Sequence, residues 1–217
     1  MKNKPGGRFF RRCVKIKREE KNQQMRRRIL DGALAEFSGQ GYGGSSINTI
    51  CAAQNLSKGI VYHYFKTKDA LYLACMEECF QRLTEYVRAN FTVEPGEIEA
   101  QLERYFIVRM DFFHANPVYQ RLYCEAATTP PAHLISKIRA CRQDFDAFNM
   151  QVLEKLLGSI ELRAGISKAD AIETFRQYQD FINVRYQAIA ASGQSFEAHE
   201  EDCQKMLGIL LYGVIER

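Results

Sequence analysis

The chain has 217 residues, 46% apolar and 26% charged, with a net charge of +4; this is enough for one moderate domain or two small ones with a real core. No apolar run reaches the length of about 18 residues that a membrane span needs, and the basic N-terminus lacks the apolar stretch of a secretory signal. Seven cysteines, an odd number with no Cys-x-x-Cys, argue against a disulfide scaffold or a structural zinc site and for a cytoplasmic protein with reduced thiols. The charge is uneven. Residues 1–28 hold twelve Lys or Arg against Glu19 and Glu20, a balance of +10, which leaves −6 for the remainder. A cationic front suits a polyanion, and an acidic remainder argues against wholesale coating of nucleic acid.

Residues 1–21 contain Pro5, Gly6, Gly7 and a dense basic run without apolar period. They read as a disordered arm or a frayed extension of the first helix, reaching DNA phosphates or a minor groove, or else as a plain solvated tail. Met25, Ile29, Ala33 and Phe37 recur every four residues and predict a helix from Asn22 to Ser38, with Arg26, Arg27 and Arg28 near its start and Gly39 and Gly41 at its end. Residues 46–68, SINTICAAQNLSKGIVYHYFKTK, then carry two short apolar-periodic segments separated by Asn55-Leu56-Ser57. That is the spacing of a helix-turn-helix. Ser46 and Ser57 can cap the two helices through their hydroxyls, and Asn55 tolerates the left-handed backbone of a sharp turn. The second of these helices, about 58–65, shows Lys58, Gly59, Tyr62 and His63 outward. Their side chains can donate to phosphates and base edges, and glycine permits close approach. Lys68 falls in the first turn of the next helix, a position unfavourable for a cation unless an anion lies nearby.

Together, Ile29 to Phe37, Gly41-Tyr42, Ser45-Ser46-Ile47, Ile50, Leu56-Ser57-Lys58-Gly59, Tyr62-His63-Tyr64-Phe65, Lys68 and Leu71 resemble the DNA-binding domain of the TetR family of bacterial transcriptional regulators. The sequence departs from that pattern at Asn55, where glycine is usual, at Cys51 and Gln54, where alanine is usual, and at Thr49, where an acidic residue often completes a capping box. The resemblance implies an all-α fold. A three-helix helix-turn-helix domain over 22–67 would be followed by a helical ligand-binding and dimerisation domain over 68–217, about nine helices in all. It implies a cytoplasmic bacterial protein, nucleoid-associated when bound to double-stranded operator DNA, and a homodimer paired through its last two helices. The DNA-binding residues it points to are Ser46, Ser57, Lys58, Gly59, Tyr62, His63 and Lys68, with Ile60 and Tyr64 partly packing.

Further along, Leu71, Cys75, Cys79 and Leu83 form one stripe of a helix running to about Asn90. Two cysteines at that spacing share a face and read first as small core residues. Helices follow over 97–115, broken by Asn116-Pro117, and over 118–127, ended by 128–131. A long helix over 132–163 is stopped by Gly165, and a further helix is capped by Ser167 with Asp170 three residues on. The last starts at Ser195 and is apolar on more than one side from Met206, as a surface paired with a second copy would be. The aromatic-rich middle offers Tyr105, Phe106, Arg109, Met110, Phe113, His114, Tyr123, Phe145 and Phe148 as lining for a pocket, although aromatics at helical spacing also make ordinary core.

The reading is a repressor that a small apolar or aromatic effector releases from a palindromic operator. The alternative is a DNA-bound interaction module whose helical domain binds a partner protein; a solid core without a cavity would favour it. There is no serine elbow, His-x-x-x-His pair, phosphate-binding loop or dinucleotide fingerprint, so neither enzyme activity nor a cofactor or metal is expected.

Overall fold

The computed structural model describes residues 7–94, 97–158, 161–189 and 196–214. Among the described residues there are nine α-helices and no strand. Contacts divide the chain between Cys75 and Met76.

In the first unit, α1 spans Gly7–Gly44, interrupted at Gly41 (φ 66°, ψ 174°), followed by α2 (Ile47–Ala53), α3 (Lys58–Tyr64) and the start of α4 (Lys68–Asn90). The stretch expected as a disordered arm or a frayed helix is thus helical from Gly7 onward; residues 1–6 lie outside the described residues. No proline follows Gly7 before the glycine-rich end of α1, and Lys, Arg, Glu and Gln are good helix formers, so nothing in the stretch breaks the helix. Gly41 adopts a positive φ that only glycine takes up freely, which ends the regular helix there. Ile29, Ala33 and Phe37 of α1 are buried with Ile50, Cys51, Val61 and Phe65. Phe37, Tyr42 and Tyr72 form an aromatic cluster with centroids 5.0–6.5 Å apart. Tyr72 explains why the division falls inside α4 and not at its start: the first turns of that helix complete the core of the first unit.

The second unit contains the rest of α4, then α5 (Ile98–Ala115), α6 (Pro117–Thr128), a single 3-10 turn (Ala132–Leu134), α7 (Ile135–Gly158), α8 (Lys168–Ile189) and α9 (Phe196–Val214). Helix α8 packs against α6, α7 and α9, and α5 against α6 and α9. Cys75 and Cys79 of α4 are fully buried. Pro117 opens α6, where its missing N–H is no loss, and the Asn116 side chain donates back to Phe112 O at 2.8 Å. Helix α7 ends at Gly158, short of the expected 163; Ile160 and Ser192-Gly193-Gln194-Ser195 lie outside the described residues. Gly165, at φ 85°, belongs to the turn before α8. There Ser167 Oγ accepts from Asp170 N at 3.1 Å while the Asp170 carboxylate accepts from Ser167 N at 3.3 Å, a reciprocal cap with Asp standing for Glu. No described helix is long and apolar enough to cross a membrane.

Candidate functional site

The turn between α2 and α3 is built residue by residue from the sequence. Asn55 sits at φ 49°. Its N–H donates to Ala52 O at 3.2 Å and that of Leu56 donates to Cys51 O at 2.8 Å, the double closure that ends a helix in a left-handed residue. Ser46 Oγ accepts from Asn48 N at 3.1 Å and Ser57 Oγ from Ile60 N at 3.4 Å. Thr49 cannot complete a capping box at α2, and Glu36 of α1 does so from outside the helix: its Oε1 accepts from Ser46 N at 2.9 Å. Gln54, in place of alanine, packs over Gly32 of α1, where an added Cβ would meet its Cγ at 2.5 Å. Arg28 donates to Gln54 O.

The outward face of α3 carries Lys58, Gly59, Ile60, Tyr62 and His63, all exposed. Tyr62 is 41% and Ile60 37% accessible although both are large apolar or aromatic residues. Val61, on the opposite side, is fully buried. Tyr64 is half-buried and donates its hydroxyl to Asn22 of α1. The result is a short rigid helix with a cation, a phenol and an imidazole on one side and the core on the other. Such a face can enter a major groove and donate to phosphates and bases.

Lys68 stands apart from this face. Its ammonium donates to Tyr42 O and, at 2.8 Å, to Ser45 O, and lies 4.4 Å from the centre of the Tyr42 ring. Two backbone carbonyls at the end of α1 thus stand where the sequence calls for an anion beside Lys68. Tyr42 in turn donates to Asp69, and burial together with that carboxylate pushes its phenol up to about 12. The arginines near the start of α1 are also engaged: Arg27 pairs with Asp31 at 2.7 Å and Arg26 lies 5.2 Å over the Phe65 ring.

The second unit holds a cavity of about 110 Å³ between α5, α6, α7, α8 and α9. Of the residues expected to line a pocket, Tyr105, Phe106, Arg109 and Tyr123 do so. Phe145 stands behind them, 5.6 Å from the Arg109 guanidinium. The others are placed differently. Phe113 is fully buried core, packed on Phe112 and Tyr123. Phe148 lies under Arg88 at 5.0 Å. Met110 is half-buried away from the cavity, and His114 is exposed. Met110 and His114, one and five residues after Arg109, point to other sides of α5; Phe113 and Phe148 are at helical spacing from Arg109 and Phe145 but are taken up by the ring of Tyr123 and the guanidinium of Arg88. Arg109 is the polar centre. Its Nη2 lies 3.2 and 3.1 Å from the two carboxylate oxygens of Glu200 and 2.9 Å from Tyr123 Oη. Burial opposes its charge, yet the Glu200 carboxylate together with Tyr123, Tyr105 and Cys203 outweighs this and holds the guanidinium above its ordinary pKa. Burial lifts the Tyr105 phenol to about 12, and it lifts the Cys203 thiol, beside Glu200, to about 12 as well. Glu200, Cys203, Asn149 and Tyr178 complete the polar lining. Sequence spacing carries no sign of them, because α5 and α9 are joined only by tertiary packing.

Residues 29–75 match the family model described as bacterial regulatory proteins, tetR family. The chain is similar to the biofilm operon icaADBC HTH-type negative transcriptional regulator IcaR of Staphylococcus aureus strain Newman, 27% identical over 106 residues, which are 49% of this chain and 55% of that protein. It thus spans about half the length of the curated relatives it matches. Among solved structures it is similar to a TetR-like transcriptional regulator from Rhodococcus sp. RHA1, at 19% identity and TM-score 0.57 over 87% of this chain and 96% of that one. It is also similar to the regulator FadR from Bacillus subtilis in complex with stearoyl-CoA, at 15% identity and TM-score 0.55 over 83% and 96%. At these identities the structural likeness bears on the fold.

Proposed function

From a chain whose residues 29–75 belong to the tetR family of bacterial regulatory proteins, we propose a transcriptional repressor that binds a palindromic operator as a homodimer and leaves it when a small molecule enters the helical domain. The observation that carries the DNA part is the exposed face of α3, where Lys58, Tyr62 and His63 stand together over a buried Val61. Lys58 would reach a base edge or phosphate, Tyr62 and His63 phosphates or thymine methyls, and Gly59 would allow the backbone close to the duplex. One short helix reads few base pairs, so a two-fold pair reading two half-sites about 34–36 Å apart is the arrangement that gives specificity. Phe181 on α8 and Ile209 on α9, 56% and 60% accessible, support pairing through the last two helices.

The cavity favours a small-molecule effector over a partner protein. It is far smaller than the pockets of about 300–1,000 Å³ that hold drug-sized ligands, so the effector here is smaller than the acyl-CoA bound by the Bacillus subtilis regulator. Release is then a population shift toward dimers whose two α3 helices are wrongly spaced. Helix α4, continuous from Lys68 to Asn90 and shared by both units, is the natural lever. Selection of duplexes from a random library with the full chain tests the proposal. Enrichment of an inverted repeat is expected; enrichment of no sequence, or of an asymmetric one bound by a monomer, would sink it.

A further inference from the structure

The front of α1 carries a charge that the helix-turn-helix does not account for. Residues 1–18 hold eight Lys or Arg and no acidic residue. From Gly7 the backbone is helical without interruption into the part of α1 that packs in the first unit. Arg8, Arg11, Arg12, Lys15 and Arg18 recur at intervals of three and four, positions that share one side of a helix. Like charges so spaced repel one another, and a row of anions along that side relieves the repulsion.

The place of this stretch in the first unit favours one polyanion. Arg18 to Gln24 are all exposed, whereas Ile29, Leu30 and Ala33 are buried, so the packed part of α1 begins after the basic stretch. The Tyr64 hydroxyl, in the last turn of α3, donates to Asn22, and the Arg26 guanidinium lies 5.2 Å from the centre of the ring of Phe65, the residue that ends α3. Helix α1 therefore passes the C-terminal end of α3 at Asn22. From there back to Arg18 and to Arg8 is about 6 and about 21 Å of helix. With α3 in a major groove about 12 Å wide, these basic positions come within reach of the phosphates that border the groove. An anionic membrane surface attracts the same charges, but their place beside α3 favours the duplex.

We propose that the helical front of α1 is a second DNA-binding element, in which Arg8, Arg11, Arg12, Lys15 and Arg18 bind the phosphate backbone beside the groove that α3 enters and add affinity without adding sequence preference. The proposal rests on the reading of α3 as the DNA-binding face. Preference between duplexes reports on that reading and salt dependence on the basic stretch, so either can fail while the other stands.

Three proteins are compared by fluorescence anisotropy between about 50 and about 200 mM KCl. They are the full chain, a variant carrying Arg8→Gln, Arg11→Gln, Arg12→Gln and Lys15→Gln, and a control carrying Lys137→Gln, Arg139→Gln, Lys155→Gln and Lys168→Gln. The control removes the same charge from exposed positions of the second unit, and glutamine keeps the helix propensity. Each is titrated with the inverted repeat selected from the random library and with a shuffled duplex of equal length; if selection yields no repeat, the shuffled duplex still reports the salt dependence. Each phosphate contact adds about 0.9 to the steepness of log K against log salt concentration, so the first variant should lose about 3–4 of it on both duplexes, and the control less than about 1. The ratio of the two affinities should stay within about twofold of that of the full chain. If the fourfold variant does not fold, Arg8→Gln and Arg11→Gln singly, each expected to lose about 0.9, decide. An unchanged steepness, an equal loss in the control, or a loss confined to the inverted repeat overturns the proposal. Unchanged steepness with lost binding to phosphatidylglycerol vesicles would assign the charges to a membrane surface instead.

Discussion

Lys58 and Lys68 carry the same side chain and meet opposite fates. Lys58 is exposed on the face of α3, whereas the Lys68 ammonium is bound to two carbonyls and an aromatic ring. Replacing each therefore separates recognition from stability. Lys58→Ala and Tyr62→Ala are expected to weaken operator binding by about 1–3 kcal/mol each while leaving the urea midpoint in place; a fluorescence-anisotropy titration with unchanged affinity in both would remove them from the interface. Lys68→Met should do the reverse. It leaves the carbonyls of Tyr42 and Ser45 without their charged donor, and urea unfolding should show a loss of about 1–3 kcal/mol. A residue's type announces what it can bind, but the carbonyls that meet Lys68 lie more than twenty residues back in the chain, so only the fold shows that contact.

At the scale of elements, the helix-turn-helix was legible because its signals are local. Ser46 and Ser57 cap, Asn55 turns left-handed, and Val61 faces inward at the expected phase. The departures from the family pattern are absorbed by α1. Glu36 supplies the carboxylate that Thr49 lacks, and Gly32 makes room for Gln54. This predicts a coupling. Gly32→Ala gains about 1 kcal/mol of helix propensity but forces Gln54 aside. Alone it should be neutral or destabilising, whereas in the Gln54→Ala background it should stabilise by about 1 kcal/mol; a double-mutant cycle of unfolding free energies that is additive would show that the two do not touch. The long helices were also legible, with Asn116-Pro117 and Ser167–Asp170 as punctuation. Their ends were less so: Glu161 is already outside α7, although the predicted helix runs to 163.

Over the whole molecule, several groups hold their protons more firmly when folded. Burial, aided by Asp69, lifts Tyr42 from 10.0 to about 12; burial lifts Tyr105 equally; and burial beside Glu200 lifts Cys203 from 9.0 to about 12. The unfolded chain gives up these protons at the ordinary values, so unfolding releases protons in that window and stability falls as pH rises. The urea midpoint should hold up to about pH 9 and decline from there to about pH 12; a midpoint that is flat across this range would contradict the burial of these groups. Composition, period and punctuation determined by themselves that the chain is helical, where its helix-turn-helix lies and which face of α3 is outward, because each of these depends on residues a few positions apart. The tertiary structure alone decided that Lys68 ties down the end of α1, that Glu36 caps α2, and that Arg109 meets Glu200 inside a small cavity which Phe113 and His114 do not line. Such contacts join residues distant in the chain, and only the packing of one helix on another brings them within reach.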